Sequence, residues 1–310
     1  MINNSKTHMT RWLPLLWMLL FSTSAFSQVT SSNQTPTART TALSASNIAM
    51  GGSAELLLTN PALLAEFEGF GAFTGYQNLF AQNYIQYSVA GLSLESGESA
   101  GNFGLSMSSL KTSNGRSSLA DETVIGFHHG IYIMKDRLSS LALGTTINYL
   151  QLSYGKSAGP SGDGSDGMSL GTTSKIGVDV GLLATLGKKH RAAVIVKNIN
   201  GPTIGTGGKI AALPQVLVGG FAYTPVEEVV TTFSLNFSSG HPVEFHGGLE
   251  YKLSPHYSIL TGMQSQPNRL SAGMKIDAKG INIEYGVITH PVLPLTHVIT
   301  LSLHLKGQNK

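Results

Sequence analysis

The stretch THVITLSLHL at residues 296–305 helps to distinguish a membrane β-barrel from a soluble β-sandwich. The other strand-like stretches of the chain fit both folds. Over residues 299–305 an apolar residue stands at every second position, with a polar residue between each pair. A period of two is that of a β-strand, whose successive side chains point to opposite faces. Because this strand lies near the end of the sequence, it suits the closure of a barrel, in which the last strand pairs with the first.

The same alternation occurs upstream, most clearly at residues 243–253. Apolar residues such as Phe245 and Leu249 alternate there with polar ones such as Glu244 and Glu250. By itself such a run suits either a soluble β-sandwich or a membrane barrel. A sandwich buries the apolar face against a second sheet, whereas a barrel turns it toward lipid.

Runs of this kind, separated by turn residues, occur about fourteen times along the chain. They start near Gly69, Tyr84, Asn102, Glu122, Ser139, Lys175, Arg191, Gln215, Val229, Pro242, Tyr257, Arg269, Ile281 and Thr296. An even number of strands with short connections is typical of a bacterial outer-membrane barrel. We therefore predict an all-β fold, a transmembrane antiparallel β-barrel over residues 69–310, with room for only one long connection, the Gly/Ser-rich stretch 155–173.

Composition supports this class. Charged residues make up only 12% of the chain, and no apolar run after residue 27 approaches the ~18 residues of a membrane-spanning helix. The absence of cysteine excludes disulfides and thiolate metal sites. The formal net charge is +3, but Lys and Arg are scattered singly, so no nucleic-acid partner is predicted.

The N-terminus has the organisation of a secretory signal peptide, which we assign to residues 1–27. Lys6 and Arg11 precede an apolar run at residues 12–21, and a stretch of mostly small residues ends at Ser27. The run is too short to cross a bilayer as a helix, so cleavage is expected rather than anchoring. Export by this route, followed by a barrel, predicts location in the cell outer membrane.

Residues 28–68 form a separate N-terminal segment, because they lack the alternation of the strands that follow. The segment contains Asn60, Pro61 and Ala62. Proline fixes its own φ and biases the preceding residue away from the helical region, and the Asn side chain can cap a following turn. The residues themselves therefore predict the start of a helix or a turn.

Short motifs in a fixed order resemble those of PorV/PorQ and FadL-like outer-membrane proteins, over most of the chain after the signal peptide. They are Ala38-Arg39, Met50-Gly51-Gly52, Asn60-Pro61-Ala62-Leu63, Asp179-Val180-Gly181, Val196-Lys197-Asn198-Ile199, Gly248-Leu249-Glu250-Tyr251, Tyr285-Gly286, His290-Pro291 and Leu295-Thr296-His297. Residues 44–49 separate the first two motifs more widely than is usual in the family. The resemblance implies that residues 28–68 enter the barrel as a plug carrying the motif Asn60-Pro61-Ala62.

The resemblance implies two alternative functions. The first is an accessory or binding component of envelope protein export, as in PorV/PorQ and type IX secretion. The second is a FadL-like transporter in which hydrophobic small molecules enter the lumen and leave through the barrel wall. The expected partners are outer-membrane lipid and either secretion-system proteins or a hydrophobic ligand. A purely structural barrel ranks below these, and we do not expect an enzyme.

If the apolar faces of the strands turn outward, the polar faces line the lumen. The charged residues then predicted to face the lumen are Asp179, Arg191, Lys197, Glu244, Glu250, Arg269, Lys275 and Glu284. Opposite charges on neighbouring strands suggest cross-strand ion pairs within a partly wet barrel. A lining that contacts substrate is the alternative, and the sequence does not separate the two.

No catalytic, cofactor-binding or metal site is predicted. His128 and His129 are adjacent, so on a strand they point to opposite faces and cannot chelate one ion together. The acidic residues of the stretch 159–167 lack the bidentate Glu of a calcium loop. No GxSxG nucleophile elbow or phosphate-binding loop occurs.

Overall fold

The computed structural model describes residues 35–306, apart from 98, 114–117, 158, 163, 164, 188, 207 and 208. The predicted signal peptide, residues 1–27, lies outside the described residues. Four short helices occur in the described chain: α1 Ala38–Ala42 and the 3₁₀ helices η1 Ala54–Leu58, η2 Pro61–Glu66 and η3 Leu79–Ala81. None of the helices described is long and apolar enough to cross a membrane.

The rest of the described chain is built mainly from β-strands. These are β1 Phe70–Asn78, β2 Ile85–Leu94, β3 Asn102–Ser113, β4 Ser118–Lys135, β5 Ser139–Tyr154, β6 Thr172–Leu186, β7 His190–Lys197, β8 Thr203–Thr206, β9 Lys209–Ala212, β10 Val216–Val226, β11 Val229–Ser238, β12 Glu244–Ser254, β13 Tyr257–Gln264, β14 Arg269–Ala278, β15 Ile281–Ile288 and β16 Thr296–Leu305. All except β8 and β9 form one closed antiparallel barrel, in which β7 pairs with β10 and β16 pairs with β1. The prediction of an all-β barrel of about fourteen strands with an N-terminal plug-like segment is confirmed.

Two details differ from the sequence prediction. Strands β4 and β6 begin at Ser118 and Thr172, earlier than the predicted starts at Glu122 and Lys175. The prediction of only one long connection was wrong, because a second one spans residues 198–215 and contains the hairpin of β8 and β9. Its strands are only four residues long, too short to show a clear alternation in the sequence.

The two ends of the barrel differ in their connections. One end of the barrel contains the start of β1 and the end of β16, and most connections there are very short. The short connections are 136–138, 187–189, 227–228, 255–256 and 279–280. We call this end of the barrel the turn end. The opposite end carries the longer connections, including 155–171, 198–215 and 289–295, and we call it the loop end.

The faces of β16 distinguish a membrane barrel from a sandwich. Ile299 is 50% exposed and Leu301 is 47% exposed, whereas Thr300 and Ser302 between them are buried. Large apolar side chains are likewise exposed on the outside of the other barrel strands. The apolar faces thus point outward and the polar faces inward, which is the reverse of a soluble sandwich.

The described part of the N-terminal segment, residues 35–68, lies inside the barrel, and we call it the plug. Helix α1 packs against β13 to β16, η1 packs against β1, β2 and β16, and η2 packs against β3 to β6. Helices this short are not stable alone, so contacts with the wall must hold them.

Local hydrogen bonds define where the helices of the plug begin. Thr37 caps α1 by accepting a hydrogen bond from the backbone N–H of Thr40. Asn60 caps η2 by accepting a hydrogen bond of 3.0 Å from the N–H of Ala62, and Pro61 occupies the first helical position, where no N–H is needed.

Candidate functional site

A belt of glycines lines the inside of the wall where it meets the plug. At each of them an added Cβ would overlap an atom of the plug. The belt consists of Gly71, Gly104, Gly130, Gly144, Gly181, Gly220, Gly248, Gly262, Gly273 and Gly286. The absence of side chains lets the backbone of the plug approach the backbone of the wall closely.

Two arginine–glutamate pairs join the plug to the wall. Arg39 of the plug donates hydrogen bonds of 2.9 and 3.1 Å to Glu250 of β12. Arg191 of β7 donates to Glu66 at the end of η2 and, at 2.7 Å, to the carbonyl of Ala49. Both pairs are largely buried, so removing one partner would leave an uncompensated charge inside the barrel.

The Arg39–Glu250 pair belongs to a larger group that we call the lumen charge cluster. Its members are Arg39, Glu55, Glu250, Lys275 and Glu284. Lys275 of β14 lies 3.9 Å from Glu284 of β15, its direct neighbour in the antiparallel register. Glu55 of η1 lies within electrostatic range of both Arg39 and Glu284. The cluster thus connects the plug to three strands of the wall.

The other residues predicted to line the lumen lie apart from this cluster. Asp179 accepts hydrogen bonds of 2.8 Å from the side chain of Asn148 and from the N–H of Asn198, and Lys197 lies within electrostatic range of it. Glu244 lies 3.4 Å from His246, which is on the same strand.

Arg269 stands at the loop-end start of β14, where its Nε has no hydrogen-bond partner among the described residues. His290 lies in the connection 289–295 at the same end of the barrel. Its partial burial, and secondly the positive charge of Arg269, lower the pKa of its imidazole. The ring of His290 also contacts Phe80, with the ring centroids 5.3 Å apart.

Sequence reasoning did not find the plug residues that pair with the wall. Arg39 was noted only as part of a motif, and neither Glu55 nor Glu66 was singled out. A charged residue inside an otherwise apolar or small-residue stretch, as at Glu55 between Ala54 and Leu56, is the signal that could have found them.

The opposite side of the plug is apolar. Plug residues and inward-facing residues of β1 to β3 form one buried group, which we call the apolar cluster. Its members are Ala54, Leu57, Leu64, Phe67, Phe73, Leu79, Tyr87, Val89 and Leu110. A second apolar group follows on β5, where Leu150 and Leu152 pack against Leu213 of the connection 198–215. The lumen is therefore mostly apolar toward the loop end on this side, where the buried Glu122 of β4 is a charged neighbour of Leu110 and Leu152, and it is charged on the side of β12 to β15.

A pocket of about 610 Å³ indents the outer wall next to the apolar cluster. We call it the wall pocket. It is lined by Ala72, Phe73, Thr74, Ala90, Gly91, Leu92, Leu105, Ser106, Met107, Ile125, Leu301 and Leu303. Most of these residues point outward, but Phe73, Gly91 and Ser106 have the inward register, and Gly91 pairs directly with the other two.

The wall is thin at this point because small residues meet there. The ring of Phe73 lies over Gly91, where a side chain would collide with it. Ser106 accepts or donates a 2.8 Å hydrogen bond with His128, whose other ring nitrogen contacts Thr146 at 2.9 Å. Phe73 therefore belongs both to the apolar cluster inside the barrel and to the wall pocket outside it.

No group of three or more acidic or histidine side chains within the described part of the chain is arranged to hold a metal ion. In the connection 155–171, hydrogen bonds from Ser161 lower the pKa of the Asp166 carboxyl. Asp163, part of the acidic stretch considered for calcium, lies outside the described residues. His129 points away from His128 and contacts the carbonyl of Ala100 at 2.9 Å.

Comparison with known proteins finds likeness in structure alone. No family model matches the chain, and no curated protein matches it. The resemblance to PorV/PorQ therefore stays a prediction.

Several solved structures share the fold. The CymD monoaromatic hydrocarbon channel aligns with a TM-score of 0.58 at 10% identity, over 88% of this chain and 98% of its own. The Pseudomonas putida toluene transporter TodX aligns with a TM-score of 0.58 at 11% identity, over 88% of this chain and 99% of its own. A Pseudomonas aeruginosa FadL homologue aligns with a TM-score of 0.57 at 9% identity, over 90% of this chain and 99% of its own. The chain therefore has the fold of the FadL-like outer-membrane barrels.

Proposed function

We propose that the protein is an outer-membrane channel through which hydrophobic small molecules pass. The observation that carries this proposal is the position of Phe73, which is shared by the apolar cluster in the lumen and the wall pocket on the membrane side. A hydrophobic molecule on this path moves mostly from one apolar surface to another, passing the buried Glu122 of β4 next to Leu110.

The proposed route begins at the loop end. A molecule would enter past Leu110 and Tyr87, move between the plug and strands β1 to β3, and reach the ring of Phe73. Rotation of that ring away from Gly91 would connect the lumen to the wall pocket. The volume of the pocket, about 610 Å³, is within the range of sites for small ligands.

The orientation follows from general features of such barrels. Short turns face the periplasm and longer loops face the outside. The turn end would therefore be periplasmic, and the apolar entrance would face the outside of the cell.

The channel proposal is preferred over a secretion accessory, which was the first expectation from the sequence. The neighbouring structures are described as a monoaromatic hydrocarbon channel and a toluene transporter. At this low identity the structural likeness supports the fold alone, and the mostly apolar path through the lumen supports the cargo class. Nothing comparable in the described residues favours binding of a secretion partner.

A substitution that fills the wall pocket tests the route. We expect Ala90→Trp to remove most of the toluene uptake that the wild-type chain gives to Gram-negative cells without hydrocarbon channels of their own. Ala90 points outward into the pocket, so an indole there blocks it without disturbing the lumen. Uptake of radiolabelled toluene at low concentration is the measurement, with palmitate as a second probe.

Ala272→Trp is the matched control. Ala272 also points outward, but it lies on β14, away from the wall pocket. We expect this variant to retain the uptake of the wild type at the same level of folded protein. Equal uptake by the two variants would contradict the route, and no uptake of either probe by the wild type would contradict the function.

A further inference from the structure

Two carboxylates of the lumen charge cluster have no hydrogen-bond partner among the described residues. Glu55 of the plug is 0% exposed and Glu284 of β15 is 1% exposed. All four of their carboxylate oxygens are buried and unpartnered. An ionised carboxylate that is buried without a hydrogen-bond donor from the protein is strongly unfavourable.

Other unpartnered acceptors lie on the same part of the wall. They include Gln77 Oε1 of β1, Asn282 Oδ1 of β15 and Ser302 Oγ of β16. Asn282 and Ser302 are direct neighbours in the register, one inward position from Glu284. The region between η1 and these strands therefore holds several buried acceptors that receive no hydrogen bond from the described residues.

The charged groups that face this region can be counted by element. Arg39 comes from α1, Glu55 from η1, Glu250 from β12, Lys275 from β14 and Glu284 from β15. Two positive and three negative charges leave one negative charge.

Two further charged residues lie closer to the turn end. Lys252 of β12 and Asp277 of β14 have opposite signs, so together they do not change the count. In the described residues, β1 and β13 bring no charged side chain to this level of the lumen. The imidazoles of His246 on β12 and His304 on β16 also face the plug, where they contact the carbonyl oxygens of Ser44 and Glu68 at 2.7 Å.

We infer that Glu55 and Glu284 together bind one proton, and that this proton holds the plug against the wall. The proton supplies a donor between two carboxylates that have none, and it makes the cluster neutral. Two buried carboxylates within electrostatic range of each other cannot both ionise without a large cost in free energy, so binding of one proton by the pair is the expected arrangement. Loss of the proton leaves a net negative charge split between plug and wall, and the two repel each other.

A metal ion suits this position less well than a proton. Lys275 and Arg39 stand beside the two carboxylates and would repel a cation. The cluster also offers no third acidic ligand in metal-binding geometry among the described residues. The inference does not depend on the cargo of the channel, because it concerns only the docking of the plug.

The test uses the full-length protein and the absence of native cysteine. Ser46→Cys places a thiol on the buried part of the plug that faces Thr232, outside the charge cluster. Ser239→Cys places one in an exposed loop and corrects for the pH dependence of the thiol itself. The ratio of the two maleimide labelling rates from pH 5 to 9 reports how often the plug leaves the wall.

We expect the ratio to rise with pH by up to about tenfold per pH unit, the slope that release of one proton gives, and to level off at the pH where the docked cluster itself loses the proton. Glu55→Gln and Glu284→Gln each mimic the protonated cluster and should keep the ratio low at every pH. Asp179→Asn, whose hydrogen-bond partners Asn148 and Asn198 lie outside the plug and the cluster, should behave as the wild type. Glu250→Gln removes the partner of Arg39 and should raise the ratio at every pH, although it removes the same charge.

Heat-modifiable migration on gels shows for each variant that the barrel is folded. A wild-type ratio that does not change with pH would overturn the inference, as would pH dependence that persists in both Glu55→Gln and Glu284→Gln. A ratio that responds to replacing sodium by choline, and not to pH, would assign the site to a metal cation and overturn it too.

Discussion

Gly144 shows how single residues position the plug. It lies on the inside of β5, and a Cβ there would overlap the backbone of Pro61 and Ala62. Backbone atoms cannot turn away as a flexible side chain can. The motif Asn60-Pro61-Ala62 can therefore lie this close to β5 only because the wall residue beside it is a glycine.

We expect Gly144→Ala to weaken docking of the plug and to cost about 1–3 kcal/mol, the usual penalty for overpacking. The measurement is the thermal midpoint of the refolded protein by circular dichroism, together with labelling of Ser46→Cys. Gly219→Ala is the control, because an added Cβ there meets nothing within 4 Å. Equal stability of the two variants would mean that the plug does not press on the wall at Gly144.

At the scale of an element, β16 combines a lipid face with a lumen face. Leu301 and Leu305 are exposed on its outside, and Thr300 and Ser302 are buried inside. The alternation is visible in the sequence, but the inner face is drier than a water-filled barrel would be. Arg at Ser302 would therefore meet the packed interior and not a hydrated lumen.

We expect Leu301→Arg to lower the free energy of unfolding in lipid vesicles by about 2–4 kcal/mol, because Leu301 lies near the middle of the strand and of the membrane. Leu305→Arg, at the end of the same strand, should cost only about 0–1 kcal/mol. Denaturant titration measures both. The same cost at the two positions would be inconsistent with a membrane centred on β16.

Spin labels give an independent check of the same element. Labels at Leu301 and Leu305 should collide readily with oxygen dissolved in lipid, and a label at Ser302 should not, because it faces the packed lumen. If the labels at the two leucines are shielded from oxygen and from a water-soluble relaxant alike, the strand is buried in protein.

At the scale of the whole molecule, wall and plug depend on each other unequally. Every barrel strand has two hydrogen-bonded neighbours in the closed sheet, so the backbone of the wall is satisfied without the plug. The plug, in contrast, has three short helices and no sheet of its own. Its order comes from the glycine belt, the two arginine–glutamate pairs and the apolar cluster.

Deletion of residues 38–67 should leave a barrel that still folds but conducts ions much better in planar bilayers. Folding is checked by migration on gels before and after boiling, since a closed barrel resists detergent until heated. Arg191 and Glu250 lose their plug partners but can then be hydrated by the open lumen. Unchanged conductance of a folded deletion variant would contradict the role of these residues as a plug.

The sequence by itself determined the β-barrel, because the period of two is a local property of each strand and repeats along the chain. Seven predicted strand starts, among them Asn102, Ser139 and Thr296, coincide with those of the structure. The sequence also identified Glu250, Lys275 and Glu284 as inward-facing charges. Their side of the strand follows from the outward direction of the apolar residues between them.

Only the tertiary structure decided what these charges meet. Glu250 pairs with Arg39, more than two hundred residues away along the chain, and Glu284 lies within electrostatic range of Glu55. No local pattern encodes such contacts, because they depend on how a non-periodic segment threads through a closed barrel. The same holds for the meeting of Phe73, Gly91 and Ser106 at the thin part of the wall, since the register between strands places them side by side.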